Sequence, residues 1–359
     1  AAGAASAPAP AGEAGGAGAE RLLEALDAAA EVYEVSLRDR SAAQCAAMLR
    51  RRGIRAKTCS LFRLGYAPSR PSDSATAALR ARGFTEEELL AAGISVRREA
   101  DGSLFDRFAG RLVIPISSSS GDVVGFGARL VEGEEEAEGE GGGGGGGGRV
   151  AAKYLNSRES DVFKKSELLY ALPVARSAAR RADAVVLVEG YMDAIALHAA
   201  GVENVVACLG TAISEAQLEM AARLSPSRVV LLSLDADEAG RAAVRRLAQR
   251  GTLQRLDARG ATTRVASLPA GCKDPDEAVR AYGRAAYEAA LAAAGGPAEP
   301  SPGASPEPSL SVGEPLLRRG LAPLPRPRGD AAVPGGARSL TRGGRCGGGR
   351  CGGGRRGGG

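Results

Sequence analysis

VVLVEGYMDAIAL, residues 185–197, and VVLLSLDADEAGRAA, residues 229–243, decide the fold. In each, a short apolar run ends in acid: Glu189 in the first, Asp235 and Asp237 in the second. Such runs read as strands buried on both faces, as in a parallel sheet covered by helices. A helical pattern follows each. Open α/β sheets bind ligands at the carboxyl ends of their strands, so two neighbouring strand ends should present Glu189, Asp235 and Asp237 at one edge. If extended geometry persists, Asp235 and Asp237, two apart, point to the same face. Carboxylates crowded together repel unless a cation neutralises them, and hard oxygen ligands suit Mg²⁺ or Mn²⁺.

Working outward, the pattern over 151–292 alternates. Strands are expected at 184–189, 204–209, 228–235 and 263–268, with helices at 191–200, 214–224, 238–250 and 274–291. That order predicts right-handed βαβ units around a mostly parallel sheet flanked by helices. Upstream, helical spacing starts at Glu20, and further helices are expected at 41–52, at 73–82 and after Thr85, whose capping-box partner is Glu88. Residues 104–130 read as a β-hairpin or meander around a Ser/Gly turn. The chain therefore divides into a low-complexity, disordered 1–19, an α+β unit at 20–131, an acidic and poly-Gly linker at 132–150, the α/β unit at 151–292, and a disordered Pro/Gly/Arg-rich tail at 293–359. The linker is expected to loosen the placement of one unit on the other. The eight consecutive glycines are not a phosphate loop, because no Lys-Ser/Thr pair opens a helix after them.

The net charge of +5 and pI near 9.0 are compatible with a nucleic-acid partner but weak on their own. Arginine is the default cation: only Lys57, Lys153, Lys164, Lys165 and Lys273 are lysines among 47 basic residues. Lysine at 153 and 165 therefore stands out. Cys45, Cys59, Cys208 and Cys272 are dispersed, as in a reduced intracellular protein, and Cys346 with Cys351 lacks a second pair, so no zinc site is expected. His198 reads as a satisfied helix histidine. No apolar run is long enough to span a bilayer. The chain begins without Met and is expected to be a fragment or a processed form. Its Gly/Arg tail resembles loose nucleic-acid-binding tails, against which stands plain codon-biased low complexity.

Strand-Glu-Gly, two intervening elements, then strand-Asp-x-Asp followed by Ala-Gly-Arg resembles the Toprim domain of primases, topoisomerases and some nucleases. EGYMD (189–193), VACLGTAIS (206–214), DADEAGR (235–241) and KDPDE (273–277) together resemble bacterial-type DNA primases. So do RLGYAP (63–68), DRFAGRLVIPI (106–116), GFGAR (125–129) and KYLNSRESDVFKKSELLYAL (153–172), in the family's order. The fold implied is a Toprim-type sheet preceded by an α+β primase-core subdomain. The activity implied is metal-dependent synthesis of short RNA primers on single-stranded DNA from ribonucleoside triphosphates.

The resemblance implies catalytic and metal-holding roles for Glu189, Asp235 and Asp237, with Mg²⁺ or Mn²⁺ as cofactor and more than one ion expected. It adds Asp193, one helical turn on, and the pair Asp274 and Asp276 to the metal set. Asp193 reads alternatively as a first-turn acid favoured by the helix dipole. Asp274 and Asp276 read alternatively as an N-cap region. Arg111, Lys153, Asn156 and Lys165 match residues lining the template and nucleotide cleft, and surface charge is the alternative for the lysines. Ser166 stands where the family commonly has glycine, and Ala109 where it has a basic residue. The family's zinc-binding initiation domain and helicase-interacting domain have no counterpart here, so a separately encoded zinc-binding domain and a replicative helicase are the expected partners, with no membrane. The expected compartment is bacterial cytoplasm, or a plastid or mitochondrion in a eukaryote. The rival readings are another Toprim enzyme and a truncated primase-like protein that binds single-stranded DNA without initiating.

Overall fold

Apolar strands that alternate with amphipathic helices can bury their faces only in layers. A computed structural model of the chain describes residues 13–69, 71–99, 101–131, 152–210 and 212–294. The described residues all fall within one compact unit, Ala1–Pro308. Its upstream part holds helices α1 (Glu13–Ser36), α2 (Ala43–Arg51) and α3 (Ala56–Leu61), strand β1 (Gly65–Ala67), helices α4 (Ser74–Ala81) and α5 (Glu86–Ala91), and strands β2 (Ser95–Arg97), β3 (Leu104–Asp106), β4 (Arg111–Ser117), β5 (Val123–Leu130) and β6 (Tyr154–Asn156). The downstream part runs α6 (Leu172–Ala182), β7 (Val185–Val188), α7 (Tyr191–Ala199), β8 (Val205–Ala207), α8 (Glu215–Ala222), β9 (Val229–Leu232), α9 (Glu238–Gln249), α10 (Thr252–Ala258), β10 (Thr262–Val265) and α11 (Pro275–Ala292).

Strands β10, β9, β7 and β8 form a parallel sheet in that order, as the buried runs require. Strands β1, β4, β5 and β6 form an antiparallel sheet, and β2 pairs with β3. Pro115 sits within β4 yet breaks no ladder, because β1 pairs only with Arg111, Leu112 and Val113. The expected capping box is present: Glu88 N–H donates to Thr85 Oγ1 and Thr85 N–H to Glu88 Oε2.

One core cluster joins the two parts. It takes Met48, Ile54, Phe62 and Ile114 from upstream and Val186, Ile195, Leu197 and Tyr287 from downstream. Phe62 stacks on Tyr170 at 5.6 Å between ring centroids. The parts are therefore packed together rather than loosened, because apolar surface shared across the joint favours burial over freedom. A second cluster lies under α6, α8, α9 and α10, and a third under α1, α4 and α5.

Two boundaries differ from the sequence reading. Helix α1 begins at Glu13 rather than Glu20, running through Gly15, Gly16 and Gly18 against their low helix propensity. Helix α10 fills a stretch that the sequence reading assigned to no element; it buries Leu253 and Leu256 in about two turns, too few positions for a clear period. The linker at 132–150 and the tail beyond residue 294 lie outside the described residues. Among the described residues, no helix is long and apolar enough to cross a membrane.

Candidate active site

Strands β7 and β9 are neighbours, with Leu187 opposite Leu232, so the chain leaves both at the same sheet edge. Glu189 follows β7. The last ladder bond runs from Ser233 N–H to the Leu187 carbonyl at 3.0 Å. Beyond it the second chain turns. Asp237 is the N-cap of α9, and its Oδ1 accepts the Gly240 N–H at 2.9 Å. The condition for Asp235 and Asp237 to share one strand face is not met, because β9 ends at Leu232 and Asp237 caps the next helix. The two loops still meet: Asp235 N–H donates to Glu189 Oε1 at 3.2 Å. Ala236 N–H donates to the Lys273 carbonyl at 2.8 Å, drawing in the loop before α11.

Asp193 lies one turn along α7, and Gly190 leaves it room: a Cβ built at Gly190 would sit 2.6 Å from Asp193 Oδ2. Asp274 is the N-cap of α11, its Oδ1 accepting Glu277 N–H at 2.7 Å. Asp276 N–H donates to Asp193 Oδ1 at 3.3 Å. The Asp276 carboxylate points elsewhere. It is buried and ion-paired with Arg52 at the end of α2 and with Arg280, 2.7 Å away on α11.

Electrostatics gather five of these acids into one group. Burial, then Asp274 and Asp235 and to a lesser degree the Asp276 carboxylate, push Asp193 up to about 7, against the Asp276 N–H. Burial, then Glu189, Asp274 and Asp237, push Asp235 up to about 6, while Lys153 pulls it down. Glu189 is raised by burial and by Asp237, against the Asp235 N–H and Arg246. Asp235 Oδ1 is buried with no hydrogen-bond partner. As the side chains stand, no three acidic, histidine or cysteine groups among the described residues converge on one ion. The reason is visible: Glu189, Asp193, Asp237 and Asp274 each turn one oxygen to a backbone N–H. The donor set nonetheless fits a divalent cation. It consists of hard oxygens whose mutual repulsion and orphaned Oδ1 a positive charge would relieve.

The basic and polar residues divide. Lys153 is exposed at the start of β6 and acts electrostatically on Asp235. Arg111 is buried, and its Nη1 donates to the Ala152 carbonyl at 2.8 Å, fixing the chain just before Lys153. Asn156 is held at both ends: Tyr191 Oη donates to its Oδ1 at 2.9 Å and its Nδ2 donates to the Leu209 carbonyl at 3.2 Å. Lys165 lies in a 3₁₀ turn over the start of α8, where its carbonyl accepts from Gln217 Nε2 at 3.0 Å.

Sequence reasoning missed Gly240. A Cβ built there would lie 2.1 Å from the Asp235 carbonyl and 3.0 Å from Glu189 Oε1. The signal was available: a glycine in a helix first turn after Asp-x-Asp, against propensity, marks a close backbone approach. It also missed Gly125 and Gly127, where a Cβ would meet the rings of Phe163 and Tyr191 at 2.6 and 2.7 Å. Arg52 and Arg246 carried no sequence signal, because the acids they act on are distant along the chain.

The family description "DNA primase catalytic core, N-terminal domain" matches residues 32–176, and "Toprim-like" matches 186–279. The DNA primase of Synechococcus elongatus is 40% identical over 275 residues, covering 76% of this chain and 37% of that protein. The RNA polymerase domain of Mycobacterium tuberculosis primase DnaG superposes with a TM-score of 0.66 at 36% identity, covering 77% of this chain and 84% of that domain. A DnaG primase catalytic domain bound to ssDNA superposes with a TM-score of 0.65 at 30% identity, covering 78% and 83%. The chain belongs to the DnaG-type primase family, matching its catalytic core, and it spans 37–38% of the length of the first curated relatives.

Proposed function

We propose that this chain is the primer-synthesising core of a DNA primase, a DNA-directed RNA polymerase acting on single-stranded DNA. One observation carries the reading: Glu189, Asp193, Asp235, Asp237 and Asp274 gather from three loops at the carboxyl edge of a parallel sheet, beside Lys153. Burial, with repulsion between neighbours adding to it, raises three of them, as at sites built for charge chemistry. The likeness to a catalytic domain bound to ssDNA supplies the template.

In this reading a 3′-hydroxyl attacks the α-phosphate of an incoming ribonucleoside triphosphate, and pyrophosphate leaves. Glu189, Asp193, Asp235, Asp237 and Asp274 would hold Mg²⁺ or Mn²⁺. When bound, such ions lower the hydroxyl's pKa and neutralise charge on the transferring phosphate. Lys153 supplies positive charge to the triphosphate, and Arg111 fixes the backbone that carries Lys153. Asn156 orients that strand against the α7 end, while Lys165 contributes to a basic wall for the template. Asp276, engaged by Arg52 and Arg280, seats α11 instead of contacting an ion. Residues 20–131 and 151–292 act as two subdomains on one core. A separately encoded zinc-binding domain and a replicative helicase are the partners this reading implies, in bacterial cytoplasm or an organelle of bacterial descent.

De novo RNA synthesis on single-stranded DNA, with labelled ribonucleotides and with or without Mg²⁺ or Mn²⁺, tests it. Short metal-dependent products should vanish in the Asp235→Asn, Asp237→Asn variant while DNA binding persists. Salt-sensitive DNA binding with no products in the unaltered chain would favour a binding protein that does not initiate.

A further inference from the structure

The largest groove among those described lies far from the acids in sequence, between the end of α1 and helices α2 and α3. Its volume is about 640 Å³, within the range of real ligand sites. Leu37, Leu49, Ile54 and Leu64 floor it, and Arg38, Arg50 and Arg55 rim it. None of its lining residues is aromatic.

Two features set the groove apart from the surrounding surface. Several nearby arginines have carboxylate partners: Arg21 has Glu24 and Glu88, Arg82 has Glu31, and Arg63 has Asp27 and Glu34. Arg38, Arg50 and Arg55 form no ion pair among the described residues, and Glu34, the one acid in the groove, is taken by Arg63 at 2.7 Å. Among the described residues, Val35 and Leu61, 58% and 49% exposed, are the large aliphatic side chains left in solvent, and each adjoins a groove residue in sequence. Apolar surface left exposed beside uncompensated charge marks an interaction face.

We infer that this groove docks an acidic amphipathic helix of a partner protein. The aliphatic floor takes Leu, Ile or Phe side chains spaced i, i+3/i+4, i+7, and the three arginines pair with Asp or Glu flanking that stripe. A nucleic acid fits less well, because single strands are held by stacking on aromatic side chains and the floor offers none. The inference does not depend on the chemistry proposed for the acids.

A displayed library of 16-residue peptides, panned on the full chain and depleted on an Arg38→Glu, Arg50→Glu, Arg55→Glu variant, tests the assignment. Enriched peptides should be acidic with an apolar stripe at helical spacing. By fluorescence anisotropy they should lose at least tenfold in affinity for the triple variant and for Val35→Glu, Leu61→Glu, and should weaken as salt rises. The second variant keeps the test decisive if the first fails to fold. Enrichment of neutral or basic peptides, or equal binding to all three proteins, overturns the inference. A labelled oligo-dT that loses tenfold on the triple variant while the peptides do not would assign the face to nucleic acid instead.

Discussion

Tyr191 on α7 donates its hydroxyl to Asn156 Oδ1 on β6 at 2.9 Å. The bond crosses from the parallel sheet's first helix to the last strand of the antiparallel sheet, and Asn156 passes it on to the Leu209 carbonyl. The Tyr191 ring reaches that position because Gly127 on β5 leaves no Cβ in its way. The strand that carries Lys153 is thus registered against the loop that follows Glu189.

Tyr191→Phe keeps the ring and removes the donor. Asn156 Oδ1 is then left half-buried without its partner, which should lower stability by about 1 kcal/mol in urea unfolding. Primer yield should fall more than template binding does, because the change loosens Lys153 relative to the acids without removing a charge. Equal losses in both would argue against a positioning role.

Gly240→Ala forces a harder conflict. The new Cβ would overlap the Asp235 carbonyl at 2.1 Å, a backbone atom with no freedom to swing away. Helix α9 must shift, taking Asp237 with it. Misplacement near 1 Å can cut rate by roughly 100-fold, and overpacking costs about 1–3 kcal/mol. RNA synthesis should drop by that order while circular dichroism stays native. Full activity in this variant would mean that the Asp235–Gly240 contact does not set the site.

Asp237 has two separable jobs, cap and acid. Asn caps a helix as well as Asp does, so Asp237→Asn should leave the melting temperature nearly unchanged while primer synthesis collapses. Asp237→Ala should lose activity and in addition about 1 kcal/mol of stability. Differential scanning calorimetry beside the RNA assay separates the two. If Asn restores activity, the cap alone matters and the carboxylate has no role in catalysis.

The legible part of this molecule was whatever its pattern repeats locally. The runs ending at Val188 and Leu232 are apolar on both faces, so the parallel sheet and the acid-bearing edge followed from the sequence. Thr85 declared its helix through a capping box. What stayed hidden depends on partners far apart in the chain. Nothing in Arg52 announces that it will meet Asp276, 224 residues on, so that ion pair could not be expected from the sequence. The turn after Leu232 was equally unreadable, because alternation gives strand faces only while the strand lasts.

His198 ties stability to pH. It is the chain's one histidine, so its titration can be followed by NMR without assignment. Its Nε2 lies 2.9 Å from the Val205 carbonyl, which can only accept, so the ring is protonated at Nε2 when neutral. Its Nδ1 is buried with no partner, and the ring meets Phe62 edge-on at 5.1 Å. A proton on Nδ1 would be an unpaired buried charge. Burial accordingly lowers its pKa from the ordinary 6.5, outweighing the Val205 carbonyl and Glu203, which raise it. The unfolded chain therefore binds a proton below about 6.5 that the folded chain refuses, so stability present above that pH is lost as pH falls toward the folded pKa. His198→Gln retains a donor for Val205 and cannot titrate. Between pH 7.5 and 5.5 the unaltered chain should lose more urea stability than this variant, and its imidazole resonance should titrate below 6.5. A resonance titrating above 6.5, or equal losses in the two proteins, would show that the buried Nδ1 finds an acceptor in solution.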